Sequence, residues 1–200
     1  MTRARLACAS DSSLPRHSIE PRKPSHLMRN NADHHFSVLA LHPQSRGYAF
    51  ALFDGPERLI DWGVREIRSS VKHRNVRTML DVEYLLERLQ PDCVVVEEFE
   101  GDDSRRAERI RNLCRNILHA AIARGMEAEQ IRKEDVVRAF ADTGATTRYE
   151  VAQVIARVIP ALSFRLPAKR RAWEGEPASM GVFAATALAL AFYRNETSEK

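Results

Sequence analysis

Two stretches carry side chains able to do chemistry at the ends of apolar runs. In Phe36 to Phe53, FSVLALHPQSRGYAFALF, the run Val38-Leu39-Ala40-Leu41 is apolar on both faces and is followed at once by His42. In Pro91 to Glu98, the β-branched run Cys93-Val94-Val95-Val96 delivers Glu97 and Glu98. Both runs suit strands covered on two sides, and a polar side chain at the end of such a strand stands where α/β sheets place their sites. His42 reads either as a hydrogen-bonded strand-end histidine or as a metal ligand. Glu97 reads either as a satisfied buried acid or as an acidic ligand, while Glu98 next to it points to the opposite face. Arg105, Arg106, Arg109, Arg111 and Arg115 crowd one later segment. That stripe is either a solvated face partly neutralised by Glu108 or a surface turned to phosphates.

The elements that must position these groups follow from periodicity and turn chemistry. His-Pro-Gln-Ser is expected to end the first strand, and Gly47 to restart the chain as a second. Asp54-Gly55-Pro56 makes a turn into a third strand, Arg58 to Ile67, completing an antiparallel meander. Lys72 to Gln90 reads as an amphipathic helix with Val76, Met79, Leu80, Tyr84, Leu86 and Leu89 turned to the sheet, ending before Pro91. Asp102, Asp103 or Ser104 can cap the next helix, which carries Ile110, Leu113, Ile117 and Ala121 inward and stops at Gly125. A fifth strand over Glu127 to Arg132 precedes a short helix from Lys133 to Ala141. Thr146 to Ile159 forms a further helix using Val151, Val154, Ile155 and Val158, stopped by Pro160. Pro160 to Pro177 reads as irregular, basic at Arg165, Lys169, Arg170 and Arg171 and then acidic at Glu174 and Glu176. Ala178 to Tyr193 is apolar almost all round and too short to span a bilayer, so it is expected as a buried helix.

Composition bounds the function. With 200 residues, 44% of them apolar, the chain can bury one sizeable core and reads as a soluble globular domain with an appendage. Lys plus Arg exceed Asp plus Glu by 31 to 27, so any nucleic-acid binding must come from where the charge lies rather than from its total. Cys8, Cys93 and Cys114 have no ligand-like spacing, which argues for reduced cytoplasmic thiols and against a zinc site. Residues 1 to 35 scatter Arg3, Arg5, Arg16, Arg22, Lys23 and Arg29 among Ser, Pro and His without an apolar period and are expected to be a disordered basic tail. Leu6-Ala7-Cys8-Ala9 is too short for a secretory core, and Asp11, Glu20 and Asp33 are out of place in a transit peptide. Met28 stands just before the expected fold, so the functional protein need not include the segment upstream of it.

The order of three strands, helix, strand, helix, strand and then helices is that of the RNase-H-like fold. Within it the residues resemble the RuvC family of Holliday-junction resolvases over roughly Phe36 to Arg194, with 195 to 200 a C-terminal tail. VLALHPQSRGYAF resembles the family's first strand, which ends in Asp-Pro-Gly-Ser before Gly-Tyr or Gly-Trp. PDCVVVEE resembles its Pro-Asp-x-x-x-x-Glu, DTGATTRYEVAQVIARVI its Gly-x-Gly-x-x-x-Lys-x-x-Val helix, and TALALA its Asp-Ala-Leu-Ala-x-Ala. The resemblance implies a mixed five-stranded sheet flanked by helices, a homodimer, and junction DNA as partner, with no membrane.

The family cuts DNA with four acids around Mg²⁺ or Mn²⁺, and only Glu97 is retained. The first aspartate corresponds to His42, and the closing pair to Phe183 and Thr186, three residues apart on the last helix. Two hard divalent ions want carboxylate oxygens, one of them bridging, and a neutral imidazole offers one nitrogen that cannot bridge. A phenyl ring would stand where a metal-bound carboxylate belongs. Glu100 and Asp102 in the loop after the fourth strand, or Glu174 and Glu176 before the last helix, are the nearby acids able to substitute. Family lysines correspond to Arg138 and Arg148, the latter at a helix start where backbone N–H groups help to hold a phosphate. Phe99 stands one place earlier than the family's aromatic.

Two readings follow: a DNA-binding RuvC-like module whose metal-dependent cleavage is lost or impaired, or an endonuclease with a site rebuilt from Glu97, His42 and loop acids such as Glu100 or Glu176. Sugar kinases and actin-like ATPases share the core fold, but their acidic first strand and Gly-rich phosphate loops are absent here.

Overall fold

A computed structural model describes residues 36–70, 73–98, 108–171, 173 and 175–198. The expected tail of residues 1 to 35 lies outside the described residues. Five strands form one mixed sheet in the order β3-β2-β1-β4-β5: β1 Ser37–Gln44, β2 Gly47–Asp54, β3 Leu59–Glu66, β4 Cys93–Glu97 and β5 Glu127–Ile131. β1 lies at the centre, antiparallel to β2 and parallel to β4, with Leu41 opposite Val96. Among the described residues six α-helices accompany the sheet: α1 Arg74–Leu89, α2 Glu108–Ile122, α3 Lys133–Ala139, α4 Arg148–Val158, α5 Pro160–Ser163 and α6 Met180–Ser198. This is the mixed five-stranded RNase-H-like α/β architecture expected from the order of elements.

Alternation along the strands divides the core in two. Leu39, Leu41, Tyr48, Phe50, Leu52, Val94 and Val96 meet α1 and α2 on one face of the sheet. Val38, Ala40, Ala49, Ala51, Phe53, Cys93 and Val95 meet α6 on the other, with α3 and α4 outside it. Burying each large aliphatic side chain contributes about 1.5–3 kcal/mol. The second face is built small under the helix, with Ala40, Ala49 and Ala51 offering no bulk. Gly181 of α6 sits so close that a Cβ there would strike the Gln44 side chain and stand 2.9 Å from Ala49 Cβ.

Several expectations change. His42, Pro43 and Gln44 remain in β1, paired with Ala49, Tyr48 and Gly47, so the ladder outlasts the His-Pro-Gln-Ser break. The inward face of α1 is Thr78, Val82, Leu85 and Leu86, whereas Val76, Leu80 and Tyr84 are exposed. In α4 the buried residues are Ala152, Ile155 and Ala156, and Val158 is exposed. The segment after Pro160 opens with the short α5 instead of being wholly irregular. α6 starts at Met180 and runs on to Ser198, so most of the expected tail from 195 onward is helix.

The start of α4 has a complete capping box. The Thr147 hydroxyl accepts from the Glu150 backbone N–H, and Glu150 accepts from the backbone N–H of Thr146 and Thr147, both at 2.9 Å. Those N–H groups first, and the two threonine hydroxyls after them, lower the Glu150 carboxyl to about 2. A folded value below the unfolded one means stabilisation that is complete above about pH 4.5 and is lost as pH falls toward 2. Glu150→Gln should therefore melt below wild type at pH 7, with the gap closing by pH 2. Melting curves at the two values check this, and a gap that persists at pH 2 would contradict it.

Candidate nucleic-acid site at the ends of β1 and β4

The alternation that turns Val38 and Ala40 toward α6 turns His42 the same way, and Cys93 and Val95 do the same for Glu97. The two strands are parallel neighbours, so both side chains arrive at the carboxyl end of the sheet. His42 Nδ1 lies 3.5 Å from Glu97 Oε2, with the imidazole 5% and the carboxylate 23% exposed. That distance is long for a hydrogen bond but short enough for strong attraction when the imidazole is protonated.

α6 passes over this pair. At its start the Gln44 amide donates to the Ala178 carbonyl at 3.2 Å, and at its far end the Tyr193 hydroxyl donates to the Phe36 carbonyl at 2.7 Å. The helix thus runs antiparallel to β1, and between these anchors Phe183 and Thr186 fall level with the strand's C-terminal half. Phe183 is 2% exposed and packs in the core on this face. Thr186 is fully buried, and its hydroxyl has no hydrogen-bond partner among the described residues. A buried hydroxyl left so carries a desolvation cost of about 1–3 kcal/mol.

Tested for divalent metal, the ends of β1 and β4 offer one carboxylate and one imidazole, with the Phe183 ring and the Thr186 hydroxyl buried on α6. Among the described residues no group of three or more His, Cys, Asp or Glu side chains lies close enough to hold an ion. Two octahedral Mg²⁺ or Mn²⁺ ions, which need several hard oxygen ligands and a bridging carboxylate, do not fit these residues. Glu100, Asp102 and Glu174, the loop acids expected as substitutes, lie outside the described residues, as do Phe99, Arg105 and Arg106. Glu176 is described, and it pairs with Arg148 at 3.0 Å, not with the His42–Glu97 pair.

The basic residues divide between this end of the sheet and internal bracing. Arg148, the first residue of α4, pairs with Glu176, two residues before the Ala178 carbonyl that accepts from the Gln44 amide at the end of β1. Arg138 is 69% exposed and pairs with Asp135 at 3.1 Å, and the same buried carboxylate holds Arg132 at 3.2 Å. Arg132 in turn approaches Glu98, at the end of β4, to 4.0 Å. Arg138 and Arg148 are thus both exposed, and each is paired with a carboxylate. Arg109 faces inward instead: its guanidinium donates to Asn75 Oδ1 at 2.8 Å and to the carbonyls of Gln44 and Ser45 at 3.3 and 3.1 Å. Arg74 donates to the Ser45 carbonyl as well, at 2.9 Å. Burial foremost, and the Arg74 charge after it, lower the pKa of Arg109 from the usual arginine value. Sequence reasoning missed the Arg74, Asn75 and Arg109 brace on the β1–β2 turn, because nothing in the spacing of these residues marks them as neighbours.

No known family model and no curated protein matches this sequence. Among solved structures, the chain is similar to the RuvC of Thermus thermophilus, at 21% identity and a TM-score of 0.58 over 80% of this chain and 96% of that one. The T. thermophilus RuvC in complex with a Holliday junction substrate superposes with a TM-score of 0.60 at 21% identity, over 82% and 97% of the two chains. The yeast mitochondrial Holliday junction resolvase Ydc2 gives 0.53 at 11% identity, over 84% and 85%. At such identities the likeness speaks for the fold alone, and the RNase-H-like α/β fold is what this chain shares with these proteins.

Proposed function

We propose that this protein binds branched DNA in recombination or repair, with metal-dependent cleavage lost or impaired. The observation that carries the reading is the side-chain set where β1, β4 and α6 meet: one carboxylate, Glu97, with His42 3.5 Å away and the buried Phe183 and Thr186 on the helix opposite. The fold is shared with a resolvase solved on a Holliday junction substrate, and Arg138 and Arg148, each exposed beside a carboxylate partner, are the cations we assign to phosphates. Cys93 and Cys114 are both buried in the core, which supports the expectation of reduced thiols, and a cytoplasmic location is part of the proposal. A second reading, in which His42 and Glu97 serve a rebuilt nuclease site with a loop acid such as Glu100, is favoured by the closeness of the pair.

Binding of a labelled four-way junction and a matched duplex, followed by fluorescence anisotropy across a salt series, separates these readings. The junction should bind at least about tenfold more tightly than the duplex, alike in Mn²⁺ and in EDTA, and remain intact. Arg148→Ala should weaken binding to every sequence alike and reduce the salt slope by about one. Nicking that needs Mn²⁺ and vanishes in Glu97→Gln would establish the nuclease reading. Equal affinity for junction and duplex would remove branch recognition altogether.

A further inference from the structure

The segment after α5 and the edge strand β3 hold aromatic rings at the surface where the core has no use for them. Leu162 is fully buried, Leu166 packs against the core, and the Pro167 carbonyl accepts from the Tyr149 hydroxyl at 3.3 Å. Between these anchors Phe164 is 72% exposed and lies against the half-buried Trp62 of β3, with ring centroids 5.8 Å apart. The Arg165 guanidinium stands over both rings, 5.2 Å from the Trp62 centroid and 5.5 Å from that of Phe164. Further along, the arrangement recurs: Trp173 is 77% exposed, and Arg171 stands over its ring at 5.6 Å. Single exposed aromatics are ordinary, but here each exposed ring is accompanied by a guanidinium.

Residues 164 to 171 read FRLPAKRR, with four cations and no acid. Arg165, Lys169, Arg170 and Arg171 are all exposed. The chain then returns to the start of α4, where Glu176 pairs with Arg148 at 3.0 Å. Cations interleaved with ring faces suit unpaired nucleotides, whose phosphates follow the charge while their bases stack on the rings. Bases inside a duplex are already stacked on one another and cannot use such rings. A guanidinium over a ring presents N–H groups at its edge to a phosphate. An acidic polypeptide would meet the charges and leave the rings uncovered.

We propose that Trp62 and the segment 164–173 form a binding track for single-stranded nucleic acid. Trp62, Phe164 and Trp173 are its stacking positions, and Arg165 and Lys169 its phosphate contacts. The chemistry it addresses, an unpaired base beside a phosphate, is common to DNA and RNA. The track does not include the His42–Glu97 pair, and it stands whether or not the protein binds junctions.

Trp62 and Trp173 are the chain's two tryptophans, so intrinsic emission reports on the track directly. Single strands of about 12 thymidylates or uridylates, titrated into the full chain, should quench that emission to saturation. Quenching by either supports the track, the tighter of the two naming DNA or RNA as its source, and quenching by neither overturns it. The thymidylate strand annealed to its complement should quench little, and a duplex that quenches as strongly would overturn stacking. Phe164→Ala, at an exposed position, should melt like wild type and weaken a labelled single strand about fivefold or more in anisotropy, while leaving junction affinity unchanged. Lys169→Ala should reduce the salt slope for the single strand by about 0.7. Single-strand affinity indifferent to Phe164→Ala, or polyglutamate displacing the strand as readily as unlabelled strand does, would reduce the surface to bare charge and overturn the proposal. Loss of junction binding with the quench intact would instead remove only the branched-DNA reading.

Discussion

A variant carrying His42→Asp, Phe183→Asp and Thr186→Asp should lose about 5 kcal/mol or more of stability without metal and regain part of it in Mn²⁺. Removal of the Phe183 ring, 2% exposed, costs about 3–5 kcal/mol by itself. The three new carboxylates would then sit with Glu97 around the end of β1, each hidden from water and repelled by the others. Crowding of that kind raises carboxyl pKa values above their unfolded ones, so the loss should be smallest in acid and grow as pH rises toward neutrality. A divalent ion reverses the balance, contributing about 2.7 kcal/mol at a concentration a hundred times its dissociation constant. Melting temperatures with MnCl₂ and with EDTA are the measurement. The wild type should show little difference between the two. A wild type that gains as much from Mn²⁺ as the variant does would mean that Glu97 and His42 already hold metal with an acid from the loop after β4.

Gly47→Ala should cost about 3 kcal/mol, or roughly 6–12 °C in melting temperature for a domain of this size. Gly47 has φ +152°, and a Cβ there would run into the backbone carbonyl oxygen of Arg65 and stand 3.2 Å from the Ile67 nitrogen. Both obstacles are main chain. They belong to the β2–β3 ladder, where Gly47 pairs with Glu66 and the Ile67 N–H donates to the Arg46 carbonyl at 2.8 Å. Relief requires that the ladder shift, and the shift would reach Gln44 through the β1–β2 turn that Arg109 and Arg74 clamp. Urea titration should show the loss at unchanged slope, and a midpoint within error of wild type would contradict this account.

The sheet was legible because its signals are local. Val38 to Leu41 and Cys93 to Val96 are dense in β-formers, and turn residues bracket them. The extension of β1 through Pro43 was not, since proline ordinarily ends a ladder. β4 pairs with β1 only as far as Leu41, so by Pro43 the strand keeps a single partner and an absent N–H can face the open side. For α1 the expectation held at Met79, Leu86 and Leu89 and failed at Val76, Leu80 and Tyr84, for a different reason. Its two apolar stripes have the same period, and the one that wins includes Thr78, a polar residue made compatible with burial by donating to the Arg74 carbonyl at 2.8 Å. At the candidate site, the alternation and order of the strands already brought His42 and Glu97 to one end. The pairing of Glu176 with Arg148 spans 28 residues of chain and leaves no trace in local spacing.

The burial of α6 has a consequence for how the protein is made. Synthesis delivers the five strands and α1 to α5 first, and the apolar face formed by Val38, Ala40, Ala49, Ala51, Phe53 and Val95 has no cover until Met180 to Ser198 emerges. A nascent chain paused before that helix would hold a half-built sheet with one face closed by α1 and α2 and the other open to water. Chains grow at about 5–20 residues per second and their domains fold as units, so that open face is a natural target for chaperones and for aggregation with neighbouring nascent chains.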